Sequence, residues 1–167
     1  MLHFHKQHHS EVTIACCPVP AADIPGLGIM GTDAEHRINR FVEKPVSEND
    51  VTGMALTVKK EQRYLGSMGI YCFNKTILQK ILIEDMSTDF GKGVIPNTFK
   101  KYNTYAYIFD GYWSDIGTIE SFYRANIDLV EAGSELNLYD KKWPYFTHSR
   151  YLPPAKVVNT HLDKALV

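Results

Sequence analysis

The chain has 167 residues, of which 44% are hydrophobic and 22% charged, and its formal net charge at pH 7 is -1. That length suffices for one hydrophobic core, and the composition is typical of an ordinary soluble globular protein. The near-neutral charge gives no electrostatic argument for binding nucleic acid or a membrane surface. No apolar run approaches the roughly 20 residues of a membrane helix, and the histidine-rich start is not a signal peptide. We therefore expect neither nucleic acid nor a membrane as a partner.

Residues 1–9 are predicted to end a helix that leads into a strand. The histidines in this stretch have irregular spacing and no accompanying acid or cysteine, so we expect no native metal site there. They are His3, His5, His8 and His9.

The segment Val12–Val19 is almost continuously apolar and rich in β-branched residues, which predicts a strand covered on both faces. A chain that opens on such a central strand suggests a sheet with earlier strands outside these residues. Cys16 and Cys17 should point to opposite faces of the strand, so they are predicted to form no disulfide with each other. With Cys72 they are interpreted as small buried hydrophobes in a reducing compartment, and the predicted location is cytoplasmic.

The segment Gly26–Gly28 contains a G-x-G pattern, but no third glycine, lysine or arginine follows, so the pattern favours a turn over a phosphate loop. Short strands are predicted at Ile29–Met30 and Arg37–Val42. The second strand ends in Glu43-Lys44-Pro45. An adjacent acid and base at a strand end can take a sugar hydroxyl and a phosphate, or can simply be a solvated strand end. Spacing alone leaves both interpretations open.

Tyr64–Phe73 is predicted to be a strand, in which two glycines are costly unless something approaches the backbone closely. Between them, Ser67 offers a hydroxyl to a ligand. Asn74 is the predicted cap of a helix, and Asp89–Lys92 opens a short segment that ends at Pro96. The predicted buried stripe of that helix is Ile77, Leu78, Ile81 and Leu82.

The aromatic strand Tyr105–Phe109 leads into a loop that holds Asp115, and Thr118 is the predicted N-cap of the next helix. An acid at such a strand end is well placed to hold a metal or a sugar hydroxyl, or it is an Asx-type turn beside a packed Trp113. Both readings remain open from this stretch alone. Apolar residues recur at helical spacing behind the cap, up to the predicted stop at Gly133: Ile119, Phe122, Tyr123, Ile127 and Val130.

Beyond Gly133 the sequence becomes aromatic and proline-punctuated without helical period, and Ala155–Val158 is predicted to be a strand of a further structure. We therefore predict one domain over residues 1–133 and a linker arm with the start of a second domain over 134–167.

Taken together, these segments resemble the glucose-1-phosphate adenylyltransferase family. The E-K-P and W-x-D-x-G-T pieces are shared by sugar-nucleotide transferases generally, whereas N-L-Y-D and M-G-I-Y narrow the resemblance to the ADP-glucose branch. The resembling segments are Val12–Ala15, Gly28–Met30, Phe41–Pro45, Ser67–Tyr71, Asp89–Lys92, Asp110–Thr118 and Asn137–Asp140.

The resemblance implies an α/β fold: the C-terminal part of a Rossmann-like nucleotidyltransferase domain with a mixed sheet, followed by the start of a left-handed β-helix. It implies that Glu43, Lys44 and Ser67 bind glucose 1-phosphate and that Asp115 is a catalytic carboxylate holding Mg²⁺. It further implies ATP as the second substrate, ADP-glucose and pyrophosphate as products in glycogen or starch synthesis, and a homo-oligomer, a tetramer in this family.

The family's glycine-rich, arginine-containing ATP loop and the acid of its G-D motif have no counterpart in these residues. We therefore expect this chain to carry the sugar-phosphate half of the site and to be inactive alone. Two alternatives stay open: a related uridylyl or guanylyl transferase, and a non-catalytic binding or assembly module.

Overall fold

The computed structural model describes residues 1–85, 87, 89–131, 137–138, 140–142, 144–146, 151, 153 and 156–162. The chain divides into two compact units, Met1–Asp110 and Gly111–Val167, and each is described by itself.

The first unit is built on a mixed sheet. Its strands lie in the order β3-β2-β5-β1-β6, and β4 pairs with β5. β1 and β6 run parallel, whereas the other pairs are antiparallel. The mixed α/β fold predicted from the sequence is confirmed. The strands are β1 (Val12–Val19), β2 (Gly28–Thr32), β3 (Ile38–Glu43), β4 (Leu56–Val58), β5 (Glu61–Phe73) and β6 (Thr104–Ile108).

Helices of this unit connect and cover the strands. α1 (Leu2–Gln7) precedes the sheet, as the sequence predicted, and α2 (Lys75–Glu84) and α3 (Ile95–Lys101) lie between β5 and β6. Short 3₁₀ turns occupy Ala21–Gly26 and Glu48–Val51, and a π-type turn occupies Phe90–Val94.

β1 is the centre of the core. Seven of its eight residues are buried, which confirms a strand covered on both faces. Its Ile14 belongs to one buried cluster with Met30 of β2, Leu65 of β5 and Ile95 of α3. All three cysteines are free; Cys16 and Cys17 are buried as predicted, whereas Cys72 is only partly buried, so the prediction of a buried residue is wrong for Cys72. Burial raises the pKa of Cys16 to about 12 and that of Cys17 to about 11, as expected of thiols held among apolar groups.

Asn74 precedes α2 as predicted, but its side chain makes no cap hydrogen bond. Its Oδ1 accepts from Nε2 of the buried His5 at 3.3 Å, and its Nδ2 donates to the carbonyl of Ser10 at 3.2 Å. His5 Nδ1 lies 2.8 Å from the hydroxyl of Thr13. The amide therefore ties α2 to α1 and the start of β1 instead of serving its own helix.

The predicted apolar stripe of α2 is right for Ile77 and Ile81, which are buried, and wrong for Leu82, which is 51% exposed. Successive residues point about 100° apart around a helix, so the face that buries Ile81 turns Leu82 outward. Pro96 likewise does not end a segment. It lies in the first turn of α3, where its missing N–H is not needed.

β5 is irregular near its two glycines. Ser67 pairs with Cys16 of β1, and Tyr71 pairs with Ile14. Between these two pairs β5 advances four residues while β1 advances only two, so β5 bulges there. The bulge is made possible by Gly69, whose φ is +70°. At Gly66 the close approach that the sequence suggested is by core side chains, since an added Cβ would lie 2.9 Å from Leu27 Cδ1.

The second unit contains α4 (Ile119–Val130). Thr118 caps it as predicted, accepting from the backbone N–H of Ser121 at 3.1 Å while the Ser121 side chain reaches back to the Thr118 N–H. None of its residues is buried, and Ile119, Phe122, Tyr123 and Ile127 are exposed.

The helix ends at Val130, with Glu131 already extended, which is earlier than the stop predicted at Gly133. Gly133 itself lies outside the described residues, and the domain boundary predicted there stays a prediction. Residues 156–158, the described part of the Ala155–Val158 segment, are not in a strand. The strand predicted for this segment is therefore wrong over these three residues, and the start of a β-helix, which no observation tests, stays a prediction. In the described ranges no helix is both long and apolar enough to cross a membrane.

Candidate functional site

Glu43 and Lys44 lie where the edge strand β3 ends. Glu43 is the last strand residue and is partly buried, Lys44 is exposed, and Pro45 is buried. The Lys44 N–H donates to the carbonyl of Leu27 at 3.0 Å, and its φ is +46°. A left-handed lysine is an uncommon backbone conformation, and this hydrogen bond supports it. The acid and the base are therefore held by the backbone at a fixed strand end.

The Glu43 carboxylate lies in a partly desolvated, charged environment. Burial raises its pKa, Lys44 and Lys92 act to lower it, and Asp89 adds to the increase. The segment around Asp89 therefore places one negative charge, on Asp89, and one positive charge, on Lys92, near the Glu43 carboxylate.

Ser67 and Tyr71 flank the bulge of β5. Burial raises the pKa of the Tyr71 phenol, a hydrogen bond with the Ser67 side chain lowers it, and the charges of Glu43 and Asp89 raise it further. The Ser67 Oγ also accepts from the N–H of Gly69 at 3.3 Å. The structure thus brings Glu43, Lys44 and Ser67, the predicted sugar-phosphate residues, to one region of the first unit.

The segment that follows Asp89 is anchored to β5 by aromatic packing. Phe90 stacks on Tyr71 with centroids 5.9 Å apart and meets Phe73 edge-on at 6.2 Å. The Asp89 carboxylate accepts from the backbone N–H of Lys92 at 2.9 Å, and this hydrogen bond lowers the pKa of Asp89. The anchoring sets Asp89 and Lys92 beside the end of β3.

The sequence alone assigns no role in the site to three residues of this region, Tyr71, Asp89 and Lys92, although they lie in segments that carry the family resemblance. A signal was present, since two opposite charges flank Phe90-Gly91 and a tyrosine follows Ser67 by four residues. Neither spacing, however, shows that the two segments meet.

Asp115 lies in the second unit, in the loop between β6 and α4, and is exposed. Both of its carboxylate oxygens lie 3.4 Å from the place where a Cβ on Gly117 would be. A side chain at Gly117 would thus touch both oxygens at an ordinary contact distance. Its role with the first-unit residues stays a prediction.

Among the described residues, no group of three or more His, Cys, Asp or Glu side chains can hold a metal ion. An exposed carboxylate such as Asp115 nevertheless fits Mg²⁺, which usually takes one or two carboxylates together with substrate phosphates and water. Of the N-terminal histidines, His5 is engaged with Thr13 and Asn74, and His8 stacks on Phe4 at 3.9 Å.

The sequence model of the nucleotidyl transferase family matches residues 1–132. Over its full length the chain is 41% identical to a glucose-1-phosphate adenylyltransferase of Clostridium acetobutylicum, of which it spans 42%. It is 43% identical over 94% of its length to the enzyme of that name from Thermotoga neapolitana, spanning 36% of it. A third relative of the same name, from Methylococcus capsulatus, is 40% identical over 95% of the chain, which spans 39% of that protein. The chain thus spans about two fifths of the length of these relatives.

Proposed function

Because the chain belongs to the nucleotidyl transferase family, we propose that it carries the sugar-phosphate part of a site that makes ADP-glucose and pyrophosphate from ATP and glucose 1-phosphate. This is a reaction of glycogen and starch synthesis. The names of the relatives supply the substrate, and the side chains gathered at the end of β3 supply the chemistry.

The observation that carries the proposal is the convergence of Glu43 and Lys44 with Ser67 and Tyr71 and with the Asp89 segment. A sugar phosphate needs a cation for the phosphate and several acceptors and donors for hydroxyl groups. The cluster combines these groups in a partly desolvated place, where hydrogen bonds are stronger than in open water.

Lys44 would offset the charge of the sugar phosphate. A charge-assisted hydrogen bond of this kind is worth about 1.5–3 kcal/mol, and the exposure of Lys44 puts its contribution at the lower end. Glu43 would accept hydrogen bonds from glucose hydroxyls, and the Ser67 hydroxyl would add a donor or acceptor. The three residues would bind and orient the sugar phosphate.

Asp115 would bind Mg²⁺ with one carboxylate, and the exposure of this residue supports the assignment. The ion would offset negative charge on the phosphate groups between which the adenylyl group moves. In the reaction a phosphate oxygen of glucose 1-phosphate attacks the α-phosphorus of ATP, and pyrophosphate leaves in line. The contribution of the described residues is to hold the attacking phosphate in place and to balance its charge.

A cytoplasmic location is part of the proposal, supported by three free thiols, two of them buried. Assembly into a homo-oligomer, a tetramer, is proposed on family resemblance.

Calorimetric titration of the chain with glucose 1-phosphate tests the proposal. We expect saturable binding at one site, with weaker binding of inorganic phosphate and weaker binding of glucose, because each makes only part of the contacts. Equal affinity for inorganic phosphate and glucose 1-phosphate would show that no sugar site is present. Absence of any binding would contradict the proposal altogether.

A further inference from the structure

We propose that Gly28 and Gly91 are positioning residues, which form a slot for the Glu43 carboxylate by leaving unfilled the space that a side chain would take. The slot is defined by these two glycines. The inference rests on the proposed sugar-phosphate function for its consequence in binding, but its geometry is independent of that function.

Gly28 forms the first wall. It lies on β2 directly opposite Glu43 in the antiparallel register, so the two side chains would share one face of the sheet. A Cβ at Gly28 would lie 2.7 Å from Glu43 Oε2 and 2.6 Å from Phe41 Cζ. The Glu43 side chain therefore folds over the β2 backbone, into space that only glycine leaves open.

Gly91 forms the second wall and comes from the segment after Asp89. A Cβ there would lie 2.8 Å from Glu43 Oε1 and 2.9 Å from both Cδ and Oε2. Every heavy atom of the carboxylate would thus be in collision with a methyl group at this position. The φ of Gly91 is not positive, so the backbone itself would accept alanine.

The two walls belong to elements far apart in sequence and meet at one carboxylate. Its charged neighbours are Lys44, Lys92 and Asp89. Carbon and oxygen do not approach to 2.8 Å without overlap, so alanine at residue 91 would displace the flexible end of Glu43 and leave the fold in place. The substitution would therefore change mainly the position of the Glu43 carboxylate. That position decides which sugar hydroxyls Glu43 can reach.

Gly91→Ala is the test, and Gly26→Ala is its matched control, because a Cβ at Gly26 has no heavy atom within 4 Å. We expect Gly91→Ala to weaken glucose 1-phosphate binding about tenfold, the loss of one hydrogen bond to a charged group, and to weaken inorganic phosphate binding much less. Gly26→Ala should leave both dissociation constants unchanged.

A double-mutant cycle separates positioning from a structural defect. In a Glu43→Ala chain the carboxylate is gone, so adding Gly91→Ala should cause no further loss of glucose 1-phosphate binding. An additional tenfold loss in that background would overturn the proposal, because it would show that the methyl group acts on the turn itself.

A third measurement needs no sugar phosphate. The pKa of Glu43, followed by NMR titration of the free chain, should fall toward its ordinary value of 4.5 in Gly91→Ala, as the carboxylate moves into solvent. The pKa should be unchanged in Gly26→Ala. If the parent chain bound no glucose 1-phosphate, the proposed function would be wrong, but this titration would still test whether the two glycines position the Glu43 carboxylate. A pKa of Glu43 that is the same with glycine and alanine at residue 91 would overturn the slot itself.

Discussion

The Asp89 carboxylate accepts a hydrogen bond from the backbone N–H of Lys92 at 2.9 Å and so closes the Phe90–Val94 turn. The turn carries Gly91 to the Glu43 carboxylate and brings the Lys92 charge close enough to act on Glu43. A local cap thus organises one side of the candidate site.

Asp89→Ala should loosen this turn. The hydrogen bond lowers the pKa of Asp89, so its stabilising effect is present above the ordinary pKa and is lost as pH falls through the lowered value. Amide hydrogen exchange at Lys92 should become severalfold faster in the variant, with no change in β1. Glu35→Ala, in an exposed turn, is the control. Unaltered exchange at Lys92 would show that the turn is held by its aromatic packing alone.

Glu43→Gln should weaken glucose 1-phosphate binding about tenfold or more. Glutamine keeps the size and one acceptor oxygen but loses the charge that strengthens hydrogen bonds from sugar hydroxyls. Calorimetry gives the dissociation constant, with the exposed Glu35→Gln as a matched control. An unchanged constant in Glu43→Gln would remove this carboxylate from the binding site.

The same Glu43→Gln variant should be more stable than the parent at pH 7. Burial raises the pKa of Glu43 above 4.5, so the folded chain binds this proton more tightly than the unfolded chain does. Stability is then lost as pH rises from 4.5 through the raised pKa, because ionisation becomes costly in the folded state. The difference in Tm between variant and parent should grow over that window and then level off. A difference that is constant from pH 4 to pH 7 would exclude ionisation of Glu43 as its source.

Lys44→Ala should weaken the binding of glucose 1-phosphate and the binding of inorganic phosphate by similar factors, about tenfold. The reason is that the Lys44 ammonium would contact only the phosphate group. The control is Lys59→Ala, since Lys59 has a φ of +50° against +46° for Lys44 and so tests the same backbone strain. Titration of both variants with both ligands gives the comparison. If Lys44→Ala left the dissociation constant of inorganic phosphate unchanged, the ammonium would have to contact the sugar instead of the phosphate.

Asp115→Asn should abolish the response of this loop to Mg²⁺ while leaving Tm unchanged. Asparagine keeps the size and one oxygen, and the lost charge is what a divalent cation requires. NMR shifts at residue 115 during a Mg²⁺ titration report the binding, with the exposed Asp110→Asn as control. A variant that lost about 1 kcal/mol of stability and responded to Mg²⁺ normally would identify Asp115 as a turn-capping residue.

Local rules of the chain predicted much of this fold. The apolar run Val12–Val19 is β1, and the alternating aromatics predicted as Tyr105–Phe109 became the strand Thr104–Ile108. Thr118 caps α4 as predicted, and Ser121 is its reciprocal partner. These features depend on residues a few positions apart, so composition and spacing are enough to predict them.

Predictions from local pattern were wrong where contacts with elements distant in sequence decide how a side chain is placed. The Asn74 side chain does not cap α2; it forms hydrogen bonds with His5 and with the Ser10 carbonyl, which lie near the start of the chain. Leu82 matched the apolar period of α2, but the face that packs on the core is set by Ile77 and Ile81. Periodicity shows that a helix has an apolar side without fixing which edge of that side is covered.

The sequence by itself determined where suitable side chains lie, an acid and a base at the end of β3 and a hydroxyl between two glycines of β5, and family resemblance alone pointed from them to a sugar phosphate. Only the tertiary structure decided that Tyr71, Asp89 and Lys92 join them, and that Gly28 and Gly91 enclose Glu43. The physical reason is range. The side-chain alternation that predicts a strand and the hydrogen bonds of a helix cap involve residues a few positions apart, whereas the meeting of Glu43 with Gly91 depends on sheet order and on Phe90 packing against β5.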